Sequence, residues 1–176
     1  VYWVSRVSYE GKKIVKVNDV LKNKTFEDLK IDEYQKRTRA FLKIQDGCNR
    51  FCSYCAIPFA RGAVCSKSPD KIIEEVEKLS RNNFKEIILS GIHIASYGTD
   101  IDGDWNLLRI LQEIDKVKGI DRVRIGSIDP QFFTEGVIEK MSKLEKLCPH
   151  FHLSLQSGCD ETLKRMNRRY TTSEYE

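Results

Sequence analysis

Residues 40–55 read AFLKIQDGCNRFCSYC. The apolar run over 40–45 fits a buried strand, and it passes almost directly into a polar loop that carries thiols at Cys48, Cys52 and Cys55. In parallel sheets, ligands gather in the loops at the carboxyl ends of the strands. A strand that leads straight into three thiols therefore sets the question for the rest of the chain.

The pattern repeats downstream. Ser68 and Pro69 open a predicted helix in which Ile72, Ile73, Val76 and Leu79 recur at helical spacing, with Glu74 and Lys78 as an i,i+4 pair and Asn82 and Asn83 as its end. Residues 85–90 form a second predicted strand through Ile87, Ile88 and Leu89, broken at Gly91. A helix is predicted from Asp104, with Leu107, Leu108, Leu111 and Ile114 on one face and a stop by Gly119. Residues 122–126 are a third strand. Thr134 opens a helix through Val137, Ile138, Met141 and Leu144, residues 151–155 make a fourth strand, and a further helix starts near Asp160. Strands alternating with helices imply parallel pairing through right-handed crossovers. The fold class is thus α/β, with about four βα units, or part of a (βα) barrel.

Upstream, residues 2–8 and 14–17 read as extended segments around Glu10 and Gly11, as in a hairpin. Residues 18–39 are charged and weakly periodic, as a linker would be. The expected boundary lies near Thr38, separating residues 1–38 from a domain over 39–176.

A net charge of +4 over 176 residues is modest, so contact with a polyanion has to come from local clustering. No stretch approaches the roughly 18 to 20 apolar residues of a membrane span, and no signal-peptide pattern opens the chain, so a cytoplasmic protein is expected. Of the six cysteines, three fall between 48 and 55, with the others at 65, 148 and 159. That clustering favours metal or redox chemistry over disulfides.

Thiolates are soft ligands for iron–sulfur clusters and zinc, and a cubane cluster takes one ligand per iron. Three cysteines leave one iron for an outside molecule with an amine and a carboxylate to chelate. The competing reading is structural zinc, which prefers four protein ligands, commonly as two close pairs. The sequence has no second pair, so Cys65, Cys148 or His93 would have to supply the fourth ligand.

Residues 37–62, RTRAFLKIQDGCNRFCSYCAIPFARG, resemble the start of the radical S-adenosylmethionine (SAM) domain of the methylthiotransferases. The cysteine spacing marks the superfamily. The narrower likeness lies in residues 56–62 (AIPFARG), 91–98 (GIHIASYG) and 153–170 (LSLQSGCDETLKRMNRRY), and is strongest to the branch acting on threonylcarbamoyladenosine in tRNA. The resemblance implies a partial radical SAM barrel in which Cys48, Cys52 and Cys55 hold a 4Fe-4S cluster. It further implies that S-adenosylmethionine binds the open iron and is cleaved reductively to a 5′-deoxyadenosyl radical, and that a methylthio group is added to N6-threonylcarbamoyladenosine next to the anticodon. Partners implied with it are tRNA, an electron donor such as flavodoxin or ferredoxin, and a sulfur donor.

By the same resemblance Tyr54 lies against the adenine, and Ser90, Gly91 and Ile92 bring backbone groups to the SAM amine. Complete relatives also carry an N-terminal domain with its own cluster and a C-terminal RNA-binding domain. Residues 1–38 look like the tail of that first domain, and no cysteine precedes Cys48. A second, auxiliary cluster is therefore expected only in the full-length family protein, and the 176 residues alone are not expected to complete methylthiolation. The alternatives are a methylthiotransferase acting on a ribosomal protein, or another radical SAM enzyme, and a zinc-stabilised RNA-binding module without catalysis.

The remaining candidates each have a plain structural reading beside the functional one. Ser127 and Asp129, in SIDP at 127–130, offer a hydroxyl and a carboxylate to a ribose, although an aspartate before a proline is also a common turn. Gln156, with Ser157 and Gly158, lines the cavity or caps the next helix. Arg61 meets an anionic cofactor group, a tRNA phosphate or a surface carboxylate. Lys164, Arg165, Arg168 and Arg169 are expected to form a basic face on the last helix for RNA phosphates, diluted by Asp160, Glu161 and Glu174. His93 is expected to be an ordinary solvated or hydrogen-bonded loop histidine, and Cys65 and Cys159, where relatives often carry a basic residue and a serine, to be ordinary buried thiols.

Overall fold

The computed structural model describes residues 38–176, together with Val20, Thr25 and Phe26. The hairpin expected over residues 2–17 lies outside the described residues, as does nearly all of the expected linker. Among the described residues the sheet has four strands, β1 (Arg39–Asp46), β2 (Cys65–Ser66), β3 (Glu86–Gly91) and β4 (Arg122–Ile125), in the order β2-β1-β3-β4. β1, β3 and β4 run parallel, as the alternation predicts, while the short β2 returns antiparallel along β1.

The helices are α1 (Ile57–Arg61), α2 (Pro69–Arg81), α3 (Leu107–Lys116), α4 (Glu135–Met141), α5 (Asp160–Arg165) and α6 (Thr172–Tyr175). Ile72, Val76 and Leu79 of α2 and Leu107, Ile110, Leu111 and Ile114 of α3 are buried in one core with Ala40, Leu42 and Ile44 of β1, Ile87 and Leu89 of β3 and Val123 and Ile125 of β4. Helices of 13 and 10 residues are marginal in water on their own, so this packing holds them. Each fully buried Ile or Leu contributes about 1.5–3 kcal/mol. On β1 the intervening positions are far more open, Phe41 being 45% exposed. The sheet is open, and its topology is that of a partial (βα) barrel. Among the described residues no helix is long and apolar enough to cross a membrane.

Three elements differ from the sequence reading. α3 starts at Leu107, because the Asn106 side chain, and not Asp104, caps it by accepting from the Arg109 amide. The helix predicted from Thr134 to Leu144 closes at Met141. Residues 151–155 form no strand: the segment touches the region of β4 through isolated parallel bridges, Val123 to Leu147 and Ile128 to Leu153. The two bridges are out of register by one residue, and Pro149 between them has no N–H for a ladder. Neither α1 nor β2 was expected.

Glu86 fixes the amino-terminal edge of the sheet. It pairs in register with Arg39 of β1 and Arg122 of β4, and its nearly buried carboxylate accepts from Arg122 Nε at 2.9 Å and Arg124 Nε at 2.8 Å, with Arg39 Nε at 3.7 Å. The Arg122 bond leads in holding its pKa below the usual glutamate value, against burial, with Arg124 and Arg39 adding to it. A carboxyl lowered on folding stabilises the folded form above its unfolded pKa, and that contribution is lost as pH falls through the folded one. Glu86→Gln is therefore expected to lower unfolding free energy at pH 7 and to flatten its decline below about pH 4.3. Urea unfolding of both proteins across pH 3 to 7 checks this, and parallel curves would contradict it.

Candidate metal centre and cofactor cleft

The cysteine loop leaves the carboxyl end of β1 and returns through α1 to β2, so the antiparallel β1–β2 pair closes its base. Gly47 makes the exit turn at φ 67°, and a Cβ there would stand 1.8 Å from the Ala63 carbonyl oxygen. Only glycine fits that position. The Cys48 amide then donates to Gly62 O at 3.1 Å, and Asn49 Oδ1 accepts from the Val64 amide at 3.2 Å.

Gln45 ties this loop to its neighbour. It is fully buried; its Nε2 donates to the carbonyls of Asp46 (2.6 Å) and Gly47 (2.8 Å), and its Oε1 accepts from the His93 amide at 2.8 Å. The same side chain explains Gly91, where a Cβ would approach Gln45 Oε1 to 2.8 Å.

A second clamp comes from the end of α5. Asn167 takes φ 57°, its amide donates to Lys164 O (3.0 Å) and the Arg168 amide donates to Leu163 O (2.9 Å). These are the two bonds of a Schellman stop with Asn in the left-handed position. The Asn167 side chain donates to the carbonyls of Arg50 (3.3 Å) and Phe51 (3.0 Å), while Ser53 donates through its amide to Met166 O and through Oγ to Arg165 O. The cysteine loop is thus gripped from both sides.

Cys48 is buried, and Cys52 and Cys55 are partly so. Burial pushes the Cys48 thiol up; a bond from the Arg50 amide, at 3.4 Å from the sulfur, opposes this, and the neighbouring Cys52 and Cys55 add to the rise. Arg168 Nη1 lies 3.5 Å from the Cys52 sulfur. Two of the three sulfurs therefore face N–H donors, which suits them as thiolate ligands. Among the described residues no three His, Cys, Asp or Glu side chains converge closely enough to hold a single metal ion. Structural zinc takes four protein ligands, whereas a cubane takes one ligand per iron, so three thiols on one loop leave one iron open. The donor set fits the cluster better than zinc, and Cys65 and Cys148 are buried elsewhere, Cys65 paired with Asp46 across β1–β2 and Cys148 bonded through its amide to Val123 O.

The other candidates fall into two groups. Tyr54, more than half exposed, donates to Gln156 Oε1 at 3.1 Å, and Gln156 holds φ 64°. Asp129 is buried: it accepts from the Gln131 amide at 3.0 Å and stands 3.5 Å from His93 Nε2 and 3.9 Å from Arg168 Nη2. Burial works to raise its pKa, but the His93 and Gln131 contacts prevail and hold it below the usual aspartate value. Tyr54, Gln156, Asp129 and Cys52 thus share one neighbourhood with Arg168. Outside it, Ser127 bonds to the His152 ring at 3.0 Å, Ser90 Oγ reaches Leu42 O only at 3.5 Å, Gly91 serves the Gln45 contact, and Ile92 is 40% exposed.

The expected basic face differs. α5 ends at Arg165, and the Asn167 turn swings Arg168 inward, leaving its side chain 10% exposed against Cys52, Asp129, Ser154 and Tyr170. Only Lys164, Arg165 and Arg169 of that group stay exposed, Arg165 paired with Glu161, and Arg61 pairs with Asp46 at 3.7 Å. His93 is hydrogen-bonded, with Nδ1 2.6 Å from Ser96 Oγ, and nearly buried. Cys65 is buried as expected, whereas Cys159, expected to be buried, is exposed because it sits at the start of α5. Gln45 and Asn167 were not picked out from sequence. Their signals were a polar residue inside an apolar strand run and an asparagine two residues beyond a helix end.

The model of the Radical SAM superfamily matches residues 42–176. The chain is 40% identical over 170 residues to the threonylcarbamoyladenosine tRNA methylthiotransferase MtaB of Bacillus subtilis, covering 96% of this chain and 38% of that protein. It is 36% identical over 173 residues to the tRNA-2-methylthio-N(6)-dimethylallyladenosine synthase of Clostridium novyi, covering 98% and 38%. The chain thus spans less than half the length of these relatives. Among solved structures, the radical S-adenosylmethionine methyltransferase TsrM of Kitasatospora setae superposes with a TM-score of 0.61 at 17% identity, over 77% of this chain and 26% of that one.

Gln45→Leu removes the partner of two carbonyls and one amide at a buried position. Unfolding free energy is expected to fall by about 2–4 kcal/mol. Urea denaturation measures it, and a loss below about 1 kcal/mol would mean that the loop is held without Gln45.

Proposed function

The chain belongs to the Radical SAM superfamily, and from that premise we propose that it is the cluster- and S-adenosylmethionine-binding part of a cytoplasmic tRNA methylthiotransferase. The modified base is N6-threonylcarbamoyladenosine, next to the anticodon. The observation that carries this reading is the cysteine loop itself: three thiols on a segment clamped at the carboxyl edge of a parallel sheet, with N–H donors on two sulfurs, beside Tyr54, Gln156 and Asp129.

Cys48, Cys52 and Cys55 would each hold one iron of a 4Fe-4S cluster, leaving the fourth for the amino and carboxylate groups of SAM. When bound, the cluster supplies the electron for reductive cleavage of SAM. Tyr54 offers an exposed ring to the adenine, kept in place by its bond to Gln156. Asp129, held ionised, offers an acceptor to a ribose hydroxyl, and the end of β3 at Ser90, Gly91 and Ile92 offers backbone groups to the SAM amine. The exposed Lys164, Arg165 and Arg169, with Arg61, are the cations available to tRNA phosphates. The substrate follows the branch likeness of residues 153–170 and the name of the Bacillus relative. The sulfur donor, the auxiliary cluster and a flavodoxin- or ferredoxin-like reductant belong to the whole protein.

Anaerobic loading with iron and sulfide is expected to give a brown protein with broad visible absorption, and Cys48→Ala, Cys52→Ala and Cys55→Ala each to lower bound iron by more than about tenfold. Stoichiometric zinc without colour would overturn the cluster. For the substrate, tRNA digests from cells lacking the gene are expected to lose the methylthio form of threonylcarbamoyladenosine and to keep that of dimethylallyladenosine. The opposite loss would move the chain to the other branch.

A further inference from the structure

Arg168 is a nearly buried cation whose contacts go beyond holding the chain together. Its Nη2 lies 3.9 Å from Asp129 Oδ2 and 3.5 Å from Ser154 O, its Nε lies 3.5 Å from Tyr170 Oη, and its guanidinium carbon stands 5.3 Å from the centre of the Tyr170 ring. Tyr170 is itself fixed by bonds to the carbonyls of Ser154 (2.6 Å) and Leu155 (2.5 Å). With those contacts made, Nη1 is left facing the Cys52 sulfur at 3.5 Å. Contacts on several sides at 3.5–3.9 Å orient the planar fork with that N–H toward the sulfur, and the Asn167 turn sets its approach.

We propose that Arg168 is a positioning residue for electron uptake: it holds a cationic N–H against the Cys52 sulfur and so raises the reduction potential of the cluster bound there. This rests on the cluster assignment above. One electron from a low-potential donor adds one negative charge to the cluster, with no bond made or broken. Arg168 is already protonated, so no proton need follow. A fixed positive charge beside a ligand sulfur favours the reduced, more negative state. Asp129 acts in the opposite sense, as the counter-charge that partly offsets Arg168.

The test is the midpoint potential of the anaerobically loaded chain, titrated with dithionite without SAM and read by visible absorption and electron paramagnetic resonance. Arg168→Gln is expected to disfavour reduction by about tenfold, about 59 mV lower for one electron. Arg168→Lys should recover part of the shift, and Asp129→Asn should move the potential upward. An unchanged midpoint in Arg168→Gln, or a shift of both Gln and Asn variants in the same direction, overturns the proposal and leaves Arg168 a structural residue. Should Arg168→Gln fail to load, Asp129→Asn decides: a rise supports the proposal, and a fall or no change overturns it. Failure of the unaltered chain to bind a cluster overturns the cluster assignment, and this inference with it.

Discussion

A loop without regular structure has to present three sulfurs while its backbone groups find partners, and two side-chain amides serve four of its carbonyls. Gln45 satisfies the carbonyls where the loop begins, and Asn167 satisfies those of Arg50 and Phe51 in its middle. An unpaired buried backbone group is costly, which ties the start of the loop to Gln45, while the Asn167 bonds tie its exposed middle to the end of α5. Each amide also carries the constraint onward. Gln45 Oε1 takes the His93 amide, which fixes the loop after β3 and excludes a side chain at position 91. Asn167, by taking the left-handed conformation, ends α5 and directs Arg168 toward Cys52.

The two edges of the sheet divide the work. At the amino-terminal edge Glu86 collects Arg39, Arg122 and Arg124, and pairing in register with the first two locks the strands against slippage. There one buried carboxylate is shared by three cations. At the carboxyl edge the charges are arranged differently: Asp129 lies between His93 and Arg168, and Arg168 has an N–H left over for a sulfur. The stabilising ion cluster and the candidate site thus lie at opposite ends of the same three parallel strands, as expected for sheets of this class.

Much of this was legible in the chain. β1, β3 and β4 show as short apolar runs, α2 shows as a 3.6-residue period behind Ser68 and Pro69, and the cysteine spacing marks the loop. The errors have physical causes. Asp104 and Asn106 are both good caps, and only the side-chain bond to the Arg109 amide chooses between them. Residues 151–155 have strand composition, but Pro149 and a one-residue slip confine them to single bridges. The basic run from Lys164 to Arg169 reads as one helical face only if the helix continues, and Asn167 stops it. Long-range bonds from Gln45 and Arg168 carry no local signature beyond a polar residue in an unusual place.

A buried ion pair is a costly way to place one donor, and the arrangement is intelligible only if its parts have spare capacity. An ionised carboxylate offers about four acceptor positions. Asp129 commits Oδ1 to the Gln131 amide and turns Oδ2 toward His93 and Arg168 at distances long enough to be mainly electrostatic. It can therefore hold Arg168 in place and still accept from a ligand hydroxyl. Arg168 likewise spends its fork on a carboxylate, a carbonyl and a phenol and keeps one N–H for the sulfur, which a lysine, with a single flexible point charge, could not do at once. Removing either partner alone would strand a charge in a nearly dry site. The pair is thus best understood as one unit that fixes a donor toward the Cys52 sulfur and keeps acceptor capacity on Asp129.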